Sequence, residues 1–159
     1  MPDPKFIADF NVGRLAKWLR IAGYDTLFVT DMEDGELVRR AQRENRVILT
    51  RDSSIMRRRV VTSGHLKALL ISSDDPRSQL RQVMEEYVLD DGRGLSRCIE
   101  CNVPLADVGK EGVRERVPPF VFQTQEEFME CPCCHKLYWR GTHWKNMRQE
   151  LTRMRGGPE

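Results

Sequence analysis

The stretch Phe6-Ile7-Ala8-Asp9-Phe10-Asn11-Val12-Gly13-Arg14-Leu15-Ala16-Lys17-Trp18-Leu19-Arg20 reads as a short buried strand followed at once by an amphipathic helix. Three apolar residues end at Asp9, and Val12, Leu15, Ala16 and Leu19 then recur at the i, i+3, i+4, i+7 spacing of one helix face. The helix is expected over about Val12–Ala22, with Gly23 where a terminating glycine belongs. The alternation repeats downstream. Leu27-Phe28-Val29 is a second strand, and Glu36–Glu44 a helix with Leu37, Val38 and Ala41 on its apolar side. Val47-Ile48-Leu49 and Ala68-Leu69-Leu70-Ile71 are the third and fourth strands. Pro76 opens a helix over about 76–89, at a first-turn position where its missing N–H costs nothing. Strands alternating with helices predict an α/β fold with a mostly parallel sheet and right-handed crossovers. Ligands of such sheets gather beyond the carboxyl ends of the strands.

The chain has 159 residues, 40% apolar and 31% charged, a globular balance with a well-solvated surface. Its 26 Lys and Arg against 24 Asp and Glu leave a net +2, so bulk charge does not announce a polyanionic partner. Apolar runs such as Ala68–Ile71 fall far short of the roughly 20 residues that span a bilayer. The opening Met1-Pro2-Asp3-Pro4 lacks the apolar segment of a secretory signal, so a cytoplasmic, non-membrane protein is expected.

All five cysteines follow position 97, as Cys98-Ile99-Glu100-Cys101 and Cys131-Pro132-Cys133-Cys134. In a chain without a secretion signal, two C-x-x-C pairs point to a metal before disulfides. Each tight turn presents two thiolates, and two turns complete a tetrahedron around zinc. Cys98, Cys101, Cys131 and Cys134 are the expected ligands, with Cys133 a surplus thiol and His135 a nearby competitor. An all-thiolate shell has no open position, so the expected role of the zinc ion is structural. Between the pairs, Val117 and Phe120-Val121-Phe122 read as strand-like pieces.

Acidic residues fall where the sheet rule looks for function. Asp9 ends the first strand, and Asp52 closely follows the third. Asp31 and Asp34 lie between the second strand and its helix, and Glu36 lies in that helix's first turn. Carboxylates converging from separate segments repel one another, and a hard divalent cation, Mg²⁺ or Mn²⁺, relieves that repulsion. Such an ion suits hydrolysis of a phosphodiester. The competing reading is structural, because each of these acids can cap a helix. Ser53-Ser54 reads as a helix start. Glycine-rich phosphate loops, dinucleotide fingerprints and nucleophile elbows do not occur.

Basic residues are unevenly spread. Eight arginines fall between Arg39 and Arg59, against Glu44 and Asp52. Arg57-Arg58-Arg59 follows Asp52 closely enough to grip a phosphate backbone. A second basic stretch from His135 onward interleaves with Tyr138, Trp139 and Trp144, which offer either base stacking or core packing.

Several segments together resemble the Mut-seven C-terminal RNase family, over about residues 5–152. They are Phe6–Asp9, Gly13–Arg20, Gly23-Tyr24-Asp25-Thr26, Asp34-Gly35-Glu36-Leu37 and Ile48-Leu49-Thr50-Arg51-Asp52. Arg97–Asn102, Cys131–Cys134 and Tyr138–Trp144 complete the set, and Cys133 departs from the pattern. The resemblance implies a PIN-like three-layer α/β/α domain, over 5–95, with a tetracysteine zinc ribbon and terminal helix over 96–155. It implies that Asp9, Asp34 and Asp52, with Glu36 next, are catalytic and hold Mg²⁺ or Mn²⁺, with Asp31 and Asp74-Asp75 as weaker candidates. The expected function is a metal-dependent ribonuclease, with Arg14, Lys17, Arg51, Arg57, Arg58 and Arg59 contacting RNA. The rival expectations are a non-catalytic RNA-binding module and an adaptor of an RNA-processing assembly.

Overall fold

A computed structural model describes residues 3–89 and 94–154, so Arg155, the last residue of the expected ribbon domain, lies outside them. Strands β1 (Phe6–Ala8), β2 (Thr26–Phe28), β3 (Val47–Thr50) and β4 (Ala68–Leu70) form one parallel sheet in the order β2-β1-β3-β4. Ile7 lies opposite Leu27 on one side and Ile48 on the other. Helices α1 (Gly13–Ile21), α2 (Asp34–Glu44), α3 (Ser53–Met56), α4 (Arg59–Thr62) and α5 (Pro76–Tyr87) make the connections and flank the sheet.

The strand triplets are apolar throughout because both faces of the sheet are covered. Phe6, Ala8, Val47 and Leu49 face one core with Leu15, Leu19, Leu80 and Val83 of α1 and α5. Ile7 and Ile48 face a second core with Leu37, Val38 and Ala41 of α2, Ile55 of α3 and Leu66. The period-2 split of each strand therefore makes three layers, helices on sheet on helices.

Boundaries move slightly from the expected ones. A 3₁₀ turn over Phe10–Val12 precedes α1, and Asp34 rather than Glu36 opens α2.

The strand-like reading of Val117 and Phe120-Val121-Phe122 is incorrect, because Val117 lies in a bend and Phe120–Phe122 lie in helix α6 (Pro119–Thr124). Pro119 occupies its first turn, where a fixed φ and a missing N–H favour a helix start over a strand. Lys110 and Arg114 sit over the Phe122 ring. The strands here are β5 (Ala106–Val108), β6 (Phe128–Glu130) and β7 (Leu137–Tyr138), an antiparallel sheet in the order β5-β6-β7.

Helix α7 (Thr142–Met154), the last described element, returns to α5 through an Arg77–Glu150 ion pair. The core behind α1 continues without interruption into Cys98, Met129, Cys131, Tyr138, Trp144 and Leu151. Trp144 is buried there against Gly94, so it packs the core and is not available for base stacking. No helix among the described residues is long and apolar enough to cross a membrane.

Candidate functional site

The strand order makes the chain leave β1 toward β2 and leave β3 toward β4, so the crevice beyond the carboxyl ends of β1 and β3 is the topological switch point. Asp9 sits there directly after β1 and is buried. Its Oδ1 accepts the Phe10 N–H at 2.9 Å, and its Oδ2 accepts the Thr50 hydroxyl at 2.8 Å. Thr50 Oγ1 accepts in turn from the Asp52 N–H at 3.0 Å. Asn11 Oδ1 accepts the Arg51 N–H at 3.3 Å, a further tie between the two strand ends.

Asp52 Oδ1 accepts the Ser54 N–H at 2.9 Å and caps α3. Hydrogen bonds from the Ser54 side chain and backbone, helped by the nearby Arg57 charge, hold its carboxyl below the usual range. Asp34 is half-buried at the first residue of α2, and Glu36 and Asp31 are exposed. Asp75 caps α5 through the Ser78 N–H.

The structure thus links Asp9 and Asp52 through Thr50. It sets Asp34 at the same sheet edge, on the helix that follows β2, without gathering the carboxylates into a preformed cage. Among the described residues, the one group of three or more Asp, Glu, His or Cys ligand atoms mutually within 4.8 Å is the four cysteines. The oxygen donors at the edge suit a hard cation.

The cations divide into two groups. Arg51, Arg57, Arg58 and Arg59 are exposed around Asp52 and α3. Arg14 and Lys17 line a separate groove of about 630 Å³ with Phe28, Ile99, Lys136 and His143, between α1 and the cysteine-bearing segment.

Cys98, Cys101, Cys131 and Cys134 stand on two matching turns. Asn102 N–H bonds Cys98 O at 2.9 Å, and His135 N–H bonds Cys131 O at 2.9 Å. Asn102 and His135 each take the left-handed conformation, with φ of 61° and 66°. Backbone N–H groups aim at the sulfurs, from Cys101 to Cys98 Sγ at 3.3 Å and from Cys134 to Cys131 Sγ at 3.4 Å. Burial opposes the Cys131 thiolate, but the Cys134 and Cys133 N–H groups bring its pKa down to about 7. The Cys98–Cys134 sulfur separation of 3.8 Å matches the edge of a tetrahedron built on Zn–S bonds of about 2.3 Å. The four thiolates can hold a zinc ion. Cys133 is exposed and outside the group, and the His135 ring is engaged by Glu130 at 3.1 Å.

The sequence model of the Mut7-C RNAse domain matches residues 4–151, nearly the full length. The chain belongs to the Mut7-C RNAse domain family. No curated protein and no solved structure matches it. In this Mut7-C chain, motif reading passed over three polar side chains with positioning roles. Thr50 and Asn11 join the strand ends, and Asn102 docks the first cysteine turn on the parallel sheet. Asn102 Nδ2 donates to Asp25 Oδ1 at 2.7 Å, and its Oδ1 accepts the Thr26 N–H at 2.9 Å. Arg20 completes this joint by donating to Thr26 O and to Ile99 O, each at 2.8 Å. The available signal for Asn102 was its place one residue after a C-x-x-C pair, where a left-handed residue favours Asn.

Proposed function

We propose that this Mut7-C chain is a metal-dependent ribonuclease that hydrolyses RNA phosphodiester bonds at the carboxyl edge of its parallel sheet. The observation that carries the reading is the Asp9–Thr50–Asp52 linkage at the switch point, in a chain whose family is described as an RNAse domain. When bound, Mg²⁺ or Mn²⁺ supplies positive charge that polarises a phosphoryl oxygen and acidifies a water. Asp9 and Asp52 would hold that ion, with Asp34 or Glu36 completing the acidic edge or orienting the attacking water. Asp9 is oriented by two donors, and the hydrogen bonds from Ser54 hold the Asp52 carboxyl below its usual range. Arg51, Arg57, Arg58 and Arg59 would neutralise backbone phosphates on either side of the scissile bond. The tetracysteine centre is structural in this reading, since four thiolates fill a zinc shell.

The capping bonds made by Asp9 and Asp52 favour a second reading, an RNA-binding module that does not cut. One assay separates the two. Purified protein is incubated with labelled RNA carrying paired and unpaired segments, with Mn²⁺, with Mg²⁺ or with chelator. The expected result is cleavage that needs the added ion and disappears in Asp9→Asn and Asp52→Asn, while RNA binding persists. Binding without cleavage selects the module, and equal cleavage by wild type and both variants removes these acids from the chemistry.

A further inference from the structure

Three of the five large apolar side chains left exposed among the described residues sit at the carboxyl edge: Phe10 at 65%, Phe28 at 37% and Leu70 at 38%. Phe10 directly follows Asp9, and Phe28 ends β2 in register with Ala8, the residue before Asp9. Exposed rings flanking a buried carboxylate are not a packing requirement of the fold. Leu70 ends β4, separated from β2 by two strands, so the two exposed rings near Asp9, and not a continuous apolar patch, mark this end of the sheet as a binding surface. Gly13 contributes to it. A Cβ at that position would come within 2.8 Å of Phe28 Cζ, so the glycine lets the ring close onto the start of α1.

Beyond Phe28 opens the groove of about 630 Å³ that runs along α1. Its wall carries Arg14, Lys17 and His143, and Lys136 pairs there with Glu100 at 3.6 Å. Arg14 and Lys17 are exposed and enter no ion pair among the described residues. Exposed ring surface at Phe10 and Phe28, with the unpaired Arg14 and Lys17 beside Phe28, matches a polyanion with free bases. Phosphates go to the cations and unpaired bases go to the rings. A duplex keeps its bases stacked internally and presents backbone and shallow groove instead.

We propose that Phe10 and Phe28 form a base-stacking platform beside Asp9, and that the RNA held at this edge is single-stranded. The inference takes the identity of the polymer from the ribonuclease reading and its strandedness from the exposed rings.

The test is binding without added divalent cation, so that no cutting intervenes. Fluorescence anisotropy compares a short labelled single-stranded RNA with the same RNA in a duplex, on the full chain. Wild type should prefer the single strand. Phe10→Ala should weaken single-strand affinity about tenfold, and Phe10→Trp should restore it to within about twofold, as expected for a stacked base. Duplex affinity should not change in either variant. Phe10 is exposed, so loss of fold does not confuse the comparison. Single-strand affinity indifferent to Phe10→Ala overturns the platform, as does a preference for the duplex or no binding of either RNA. The two readings fail separately. Phe10-dependent binding by a protein that never cleaves keeps the platform and removes the nuclease, and cleavage with Phe10-independent binding does the reverse.

Discussion

Thr50 donates its hydroxyl proton to Asp9 Oδ2 at 2.8 Å while accepting the Asp52 N–H at 3.0 Å. One hydroxyl therefore ties together the residues that follow two adjacent strands at the switch point. Thr50→Val keeps much of the side-chain shape but leaves a buried carboxylate oxygen without its donor. It should destabilise the fold by about 1–3 kcal/mol in urea titration. Cleavage of RNA should fall about 10–100-fold, the usual effect of removing a group that orients a metal-binding side chain. Thr50→Ser should restore both, because the hydroxyl returns. A Thr50→Val protein that is less stable but cuts at the wild-type rate would leave Thr50 a purely structural role.

Arg57, Arg58 and Arg59 are exposed and make no ion pair among the described residues, with Arg57 near enough to help lower the Asp52 pKa. If each neutralises one phosphate of a single strand, replacing all three by Ala should reduce the slope of log affinity against log salt by about 2. Anisotropy titrations over a salt series measure that slope. An unchanged slope would mean that the triplet only faces solvent.

Much of this arrangement was legible because a parallel sheet covered on both faces gives uninterrupted apolar triplets. Phe6-Ile7-Ala8 and Val47-Ile48-Leu49 could hardly be anything else, and the acids just after them marked the edge. Whether those acids cap or bind could not be read, since one carboxylate at one position serves either purpose; Asp9 and Asp52 do cap. Thr50 was invisible because Thr is an ordinary strand former, and its meaning lies in a partner 41 residues away. Asn102 was hidden in the same way, its partner Asp25 being 77 residues distant. Phe120–Phe122 has the aromatic and β-branched content of a strand, yet the fixed backbone of Pro119 decides the local structure in favour of a helix.

The cysteine assignment gives a sharp contrast between neighbours. Cys131 is fully buried in the core and its sulfur receives two N–H bonds, whereas Cys133 is exposed and outside the sulfur cluster. Metal analysis of the purified chain should find about one zinc per molecule in wild type and in Cys133→Ser, and almost none in Cys98→Ser or Cys131→Ser. Because Cys98 and Cys131 share the main core with Phe6 and Leu15, chelation should also lower the melting temperature of the whole chain, not of a ribbon alone. A single unfolding transition that moves with zinc would show this coupling. A melting curve unaffected by chelator would detach the metal from the fold.

Asp25 is where the parallel sheet and the first cysteine turn meet. Arg46 and Asn102 each donate to its Oδ1 at 2.7 Å, and the Arg46 guanidinium is buried. Burial opposes the Asp25 charge, but the hydrogen bonds from Arg46 and Asn102 outweigh it and hold the pKa below its ordinary 3.8. A carboxylate with a depressed folded-state pKa binds fewer protons folded than unfolded near that value. Its stabilisation is complete above the unfolded pKa and is lost as pH falls through the folded one. Asp25→Asn should therefore cost about 1–2 kcal/mol at neutral pH, a figure reduced for the partial exposure of the pair. The gap between wild type and variant should then narrow as pH drops below about 4, because wild-type Asp25 is itself losing its charge. Urea midpoints of both proteins across that range measure the gap. One that stayed constant into strong acid would mean that the joint depends on side-chain shape and neutral hydrogen bonding, with no contribution from the Asp25 charge.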